Sequence, residues 1–285
     1  CGQELRTGYN FRTARRSLNL LTIEWANRGL NFWTVEQGQI PMVTGQALYP
    51  IPVDTVDLMD MVIRQNAGTL NQIDINISRI AEPTYMSIPN KNATGRPVQV
   101  WVNRQTGLVN STTVTLDGAI NSTDTTITVS DASQLATVGF INIGTETIAY
   151  QNVSGNQLLN CFRGQNNTTA ASHIDGSAIS VANLSSINVY PAPSAPGNQY
   201  TFVYYRMRRI QDAGSGAYVQ DIPFRFIPAM VAGLAYQLSV KLPEVDPARI
   251  PLLKAQYEET FQQAADEDRE KAPIRMVPRN MFYYR

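Results

Sequence analysis

The stretch from residue 111 to residue 182 places the strongest limit on the fold. It is rich in Thr, Ser, Asn and Gly, and its apolar residues alternate: Ile127 with Val129, Ile141 with Ile143, Ile148 with Tyr150. Side chains along a strand point alternately to opposite faces, so a period of two predicts strands and not an amphipathic helix. Turn-forming runs such as Ser154-Gly155-Asn156 separate these strands. The expectation is a small all-β module. Its charge also sets it apart. Residues 112–182 hold five acids (Asp117, Asp124, Asp131, Glu146, Asp175) and one base, Arg163, a net of −4. The other 22 basic and 18 acidic residues lie outside it, a net of +4. Such a split supports separate domains in separate surroundings.

The flanks predict how the module is attached. Pro97 to Asn103 alternates as a strand, Ser186 to Tyr190 starts another, and Tyr200 to Arg206 follows across a Pro-rich turn. Without the module these three strands would form a meander, so it reads as an insertion at a loop tip, the kind of site that tolerates one. Shorter strands are expected at 32–36, 46–52, 57–65 and 74–80.

Helices are predicted at both ends. The first runs from an Asn10 cap to Arg28, with Ala14, Leu18, Leu21 and Trp25 on one face and Gly29 as the C-terminal stop. Arg12, Arg15 and Arg16 lie in its opening turns, where cations oppose the helix dipole. They are candidates for contact with an acidic partner or phosphate, with a solvated face as the plain alternative. Near the other end, Asp221 caps a helix striped by Phe226, Met230, Leu234 and Leu238. Asp246-Pro247 opens a second, striped by Ile250, Leu253, Tyr257 and Phe261, with Pro251 kinking or restarting its first turn. The short link between them predicts an antiparallel hairpin.

The predicted class is therefore α+β: a helical frame with a small antiparallel sheet and an inserted all-β domain. The domains are 1–110 and 183–272 for the frame, 111–182 for the insert, and 273–285 for a terminal arm. That arm carries Arg275, Arg279 and Arg285 with Met281, Phe282, Tyr283 and Tyr284, and no acid. Aromatic and Arg anchors are the composition of an interface hot spot, so docking is expected.

Sites for chemistry are scarce. His173 is the one histidine. Ser172 is its direct neighbour, and adjacent strand side chains point apart, so a hydrogen-bonded structural histidine is expected. No Cys/His spacing suits a metal, and no phosphate loop or dinucleotide fingerprint occurs, so no cofactor and no enzyme are expected. The acids at 258–259 and 266–268 read as solvated helix faces. Equal totals of 23 basic and 23 acidic residues announce no global nucleic-acid field. No stretch approaches the roughly 18–20 apolar residues of a membrane span. Cys1 and Cys161, far apart, make no disulfide framework and suit assembly in a reducing cytoplasm. Because the chain opens on Cys1 and not Met, a missing upstream segment is expected.

Six segments of the frame, in order, carry a resemblance. They are Arg12–Leu21, Trp25–Trp33, Pro89–Pro97, Tyr204–Asp212, Leu252–Tyr257 and Glu267–Lys271. Together the set resembles the head-to-tail adaptor proteins (connector or tail tubular type) of short-tailed bacteriophages. The insert resembles a β-module recurrent in phage structural proteins, through Gly144-x-Glu146-x-Ile148-x-Tyr150, Gly155-Asn-x-Leu158, Arg163-Gly164 and Thr169-Ala-Ala-x-His173-x-x-Gly176. The resemblance implies a virion protein assembled in the host cytoplasm. It further implies a ring of twelve copies at the head–tail junction, with portal protein above and a tail tube or nozzle protein below. Genomic DNA would pass through the ring without being read, a role that suits near-zero net charge. It also implies an upstream helical segment; the insert, which most such adaptors lack, is a separate expectation, with a tail fibre as its candidate contact. The runner-up is a tail-fibre or receptor-binding subunit whose module recognises host glycan. The helices at both ends argue against that reading. A depolymerase or peptidoglycan hydrolase would need a convergent acidic pair that the sequence does not present.

Overall fold

A computed structural model describes residues 8–29, 32–194, 199–210, 221–242 and 245–268. The protein is of mixed α+β class. Among the described residues its α-helices are α1 (Gly8–Arg28), α2 (Glu82–Met86), α3 (Ile227–Lys241) and α4 (Ile250–Glu267). The chain forms two compact units, one from its two ends (up to Thr34 and from Ile210) and one from Val35–Arg209.

In the first unit, α1 buries Ser17, Leu21 and Trp25 against α3 and α4. Gly233 of α3 makes that approach possible. A Cβ there would lie 2.8–2.9 Å from the Leu21 methyls and 2.9 Å from the Tyr257 ring. Trp25 packs at 5.5 Å from Phe226 and 5.6 Å from Phe261, and its indole N–H donates to the Tyr257 hydroxyl at 3.0 Å. Full burial of each such ring stabilises by about 1.5–3 kcal/mol, and the indole keeps its partner. Arg28 closes the aromatic cluster, lying over Tyr257 and Phe261 and bonding Glu24 at 2.5 Å and Glu258 at 2.7 Å. α3 and α4 are antiparallel, as expected: Arg225, just before α3, pairs with Asp268 at the end of α4.

Several local readings need correction. Asn10 lies inside α1 and is not its cap. Ahead of α3 a 3-10 turn, Phe224–Phe226, is entered from Pro223 and not capped by Asp221. The face that α3 buries is made of Ala229, Ala232, Gly233, Leu238 and Ser239, while Met230 and Leu234 are only half-buried. Small residues win that face because only they admit the Leu21 and Tyr257 side chains. Asp246 does cap as expected, accepting from the Ala248 N–H at 2.9 Å, and the helix restarts at Ile250 with Pro251 in its first turn.

The second unit contains two four-stranded sheets. One runs Val35–Pro41, Tyr200–Arg208, Thr55–Gln65, Ile73–Asn76, all antiparallel. The other runs Leu48–Pro50, Ser186–Tyr190, Gln99–Asn103, Ser78–Ile80, with a parallel last pair. Their shared core includes Leu58, Ile63, Val100, Ile187 and Phe202. Three expectations fail here. Phe32–Thr34 is a 3-10 turn, and the strand starts at Val35. The 74–80 run divides between the two sheets. The Tyr200 strand pairs with Val35–Pro41 and Thr55–Gln65, so it forms no meander with the Ser186 strand.

Strands between Val109 and Ala182 form a five-stranded sheet, in the order Phe162–Gln165, Glu146–Tyr150, Gly139–Ile143, Ala178–Ala182, Val109–Thr115, and a smaller three-stranded one. They enclose a core of their own, with Val114, Leu116, Ile127, Ile141, Ile148, Leu158 and Ile179. The joint to the neighbouring sheets is both apolar and polar. Leu48 packs with Phe140, Ala149, Ala182 and Leu184. Gln151 accepts from the Ala47 N–H at 2.5 Å and donates to the Gly45 carbonyl at 2.8 Å. Paired amide bonds of this kind fix orientation as well as contact.

Candidate functional site

A buried, densely hydrogen-bonded polar group lies within the β-rich segment. Glu146 starts a strand buried along its whole length, so its carboxylate faces the interior with a side-chain exposure of 0%. Burying a bare charge is prohibitive, and this one is surrounded by donors. Arg163 reaches it in a forked contact, Nε at 2.8 Å and Nη2 at 2.7 Å. The backbone N–H groups of Gly164 and Ala171 donate at 3.0 and 3.1 Å, and His173 Nε2 at 2.8 Å. An ionised carboxylate only accepts, so Nε2 carries the proton. Gly164 is required at its position: with φ +61, an added Cβ would meet the Thr168 and Ala170 backbone at 3.0 Å. Burial works against the charge on Glu146, but Arg163, His173 and the two N–H groups outweigh it and hold the carboxyl at about 2.

Arg163 also donates to the Ala171 carbonyl at 2.6 Å and to that of Asn121, so two separate loops and two strands converge on one ion pair. This arrangement pins loops. His173 was expected to be hydrogen-bonded and structural, and it is held in that way. Its partner is a titratable group, Glu146, distant in sequence. Ser172 is exposed beside it. Burial pushes the Cys161 thiol up to about 12, the opposite of what a nucleophile needs. Glu146 itself was read only as part of a motif. The ordered Glu146, Arg163-Gly164, His173 set was the signal to follow, since those residues meet at one point.

A second feature lies on the helical unit. Opposite its buried small residues, α3 presents Ile227 and Val231, exposed by 44% and 61%, in line with Phe224, exposed by 84%. Spacings of three and four residues put them on one stripe. No charged residue occurs between Ile227 and Val240. A helix apolar all round is normally covered on both sides, and here the described residues leave the Ile227–Val231 side exposed. α1 has Leu20 and Ile23 exposed by 45% and 58%, one turn apart. Arg12, Arg15 and Arg16 are exposed on the opening turns of α1. The arm residues Arg275, Arg279, Met281, Phe282, Tyr283, Tyr284 and Arg285 lie outside the described residues.

Among the described residues no group of three or more His, Cys, Asp or Glu side chains could hold a metal ion. No described helix is long and apolar enough to cross a membrane. No protein-family model matches the chain, and no curated protein matches it.

Proposed function

We propose that the chain is a structural, non-catalytic subunit of the neck of a short-tailed bacteriophage. It would form a ring, twelve copies by the resemblance, between portal and tail, around the channel through which DNA passes. The six frame segments resembling head-to-tail adaptors suggest this reading, and the two-sided apolar character of α3 carries it. A closed ring needs a heterologous contact, one patch of each copy meeting a different patch of the next. The Phe224–Ile227–Val231 stripe and the Leu20–Ile23 patch of α1 are two such apolar patches on one unit. In this reading the helical unit and the two four-stranded sheets form the adaptor frame, and residues 111–182 are a guest domain. That guest is stabilised from within by Glu146 and open to contact with a tail fibre. The arm from Pro273 to Arg285 docks into the portal, so a chain ending at Ala272 stays folded and no longer attaches to portal oligomers in co-sedimentation.

Labelling of phage particles with gold-tagged antibody fragments raised against the chain tests the placement. Gold at the head–tail junction is expected. Gold on the fibres would favour the receptor-binding reading and overturn this one.

A further inference from the structure

A cleft of about 400 Å³ opens in the second unit, between the ends of the two four-stranded sheets and the turn that follows Arg163. Among the described residues, no Asp, Glu, Lys, Arg or His side chain lines it. Its polar lining is amide: Gln39, Asn166 and Asn167 are exposed at the rim, with Gln165 half-buried beside them. Asn166 and Asn167 take φ +54 and +60 in succession, a backbone that glycine would adopt with less strain. The turn thus holds two amide side chains at the rim in a conformation that is easier without side chains.

The floor supplies the second observation. Gln46 is 1% exposed, and its Nε2 donates to the Leu48 carbonyl at 2.7 Å and to Gln165 Oε1 at 2.9 Å. Those two acceptors fix the amide, because a flip would set oxygen against oxygen. Its Oε1 is then a buried acceptor with no partner. Buried polar atoms nearly always have one, so this oxygen, on a side chain that lines the cleft, lacks a donor among the described residues.

We propose that this cleft binds a neutral saccharide. A sugar hydroxyl donates and accepts at once, which suits rim amides offering both functions and a floor oxygen lacking a donor. The absence of charge in the lining disfavours phosphate, carboxylate and nucleic-acid ligands. An extended peptide would have to pair with the bordering edge strands, Val35–Pro41 and Leu48–Pro50. Pro41, Pro50 and Pro52 remove donors from that border and blunt such pairing. The proposal stands apart from the neck reading, since it concerns a site within one subunit wherever that subunit is mounted.

The test uses the full-length protein on an array of neutral and acidic oligosaccharides and of proline-rich peptides, followed by calorimetric titration of the strongest neutral trisaccharide. Retention of neutral glycans is expected. The Asn166→Gly/Asn167→Gly variant keeps the turn conformation, and Gln39→Ala removes a third amide from an exposed position. At least a tenfold loss of affinity is expected from the triple variant with an unchanged thermal midpoint. No retained neutral glycan, retention of acidic glycans or peptides alone, or full affinity in the folded variant would each overturn the proposal.

Discussion

In the strands from Val109 to Ala182 the group hardest to bury, the Glu146 carboxylate, meets five donor contacts, all from the same segment. In the helical unit α3 buries Ala229, Ala232 and Gly233, while among the described residues nothing covers Ile227 and Val231 on its other side. The difference shows where each region depends on something outside itself. The Val109–Ala182 segment has its own core and its own satisfied ion pair, and it is joined to the neighbouring sheets through Leu48 and Gln151. Among the described residues α3 keeps an exposed apolar stripe, and the proposed ring gives it a partner, because single exposed apolar residues are ordinary and aligned ones mark contact surfaces.

The sharpest way to break the comparison is to remove the carboxylate. Glu146→Ala leaves Arg163, whose side chain is 7% exposed, without its partner. Loss of one member of a buried pair costs about 3–5 kcal/mol, so urea unfolding of this segment should shift by that amount. The same group sets an acid limit. Its folded-state value of about 2 lies below the ordinary 4.5, so its stabilisation is present in full above about pH 4.5. It is lost as pH falls through about 2, since the unfolded chain takes up the proton first. Acid titration of the wild type followed by circular dichroism should show that loss, and Glu146→Ala should lack it.

On the helical side, Gly233→Val tests whether close approach sets the buried face. The new side chain meets Leu21 and Tyr257, and overpacking of this kind costs about 1–3 kcal/mol, read as a lower thermal midpoint. His173→Gln is smaller. Glutamine can still donate to Glu146, so a loss of about 1 kcal/mol or less is expected, and under the proposed neck role particle assembly and infectivity stay near normal. A large loss of infectivity in a folded variant would return His173 to a functional role.

Part of this was legible in the sequence. Alternation identified the strands at Gly139–Ile143 and Glu146–Tyr150, and helical spacing identified α1 and α4, because each has a polar face that sets the phase. α3 has none. With apolar residues all round, periodicity cannot say which face is inside, and Leu234 was assigned where Gly233 belongs. Sheet membership was also out of reach. The Tyr200–Arg208 strand joins Val35–Pro41 from across the chain, although Ser186–Tyr190 is its neighbour in sequence. The ion pair failed for a related reason. Adjacency sets His173 beside Ser172, whereas its true partner lies 27 residues back. Glu146 stood in an alternating strand that is buried on both faces, so its polarity suggested a surface it does not have.

The account rests on the uncovered stripe of α3 as a contact between copies, and negative-stain imaging of the purified chain tests it most directly. Ile227→Glu/Val231→Glu places two charges on that stripe at exposed positions, where stability should move by no more than about 0.5 kcal/mol per site. The account predicts closed rings of high symmetry for the wild type and dispersed single subunits, with an unchanged thermal midpoint, for the variant. Rings that persist in the variant, or wild-type particles that are elongated trimers, would contradict it.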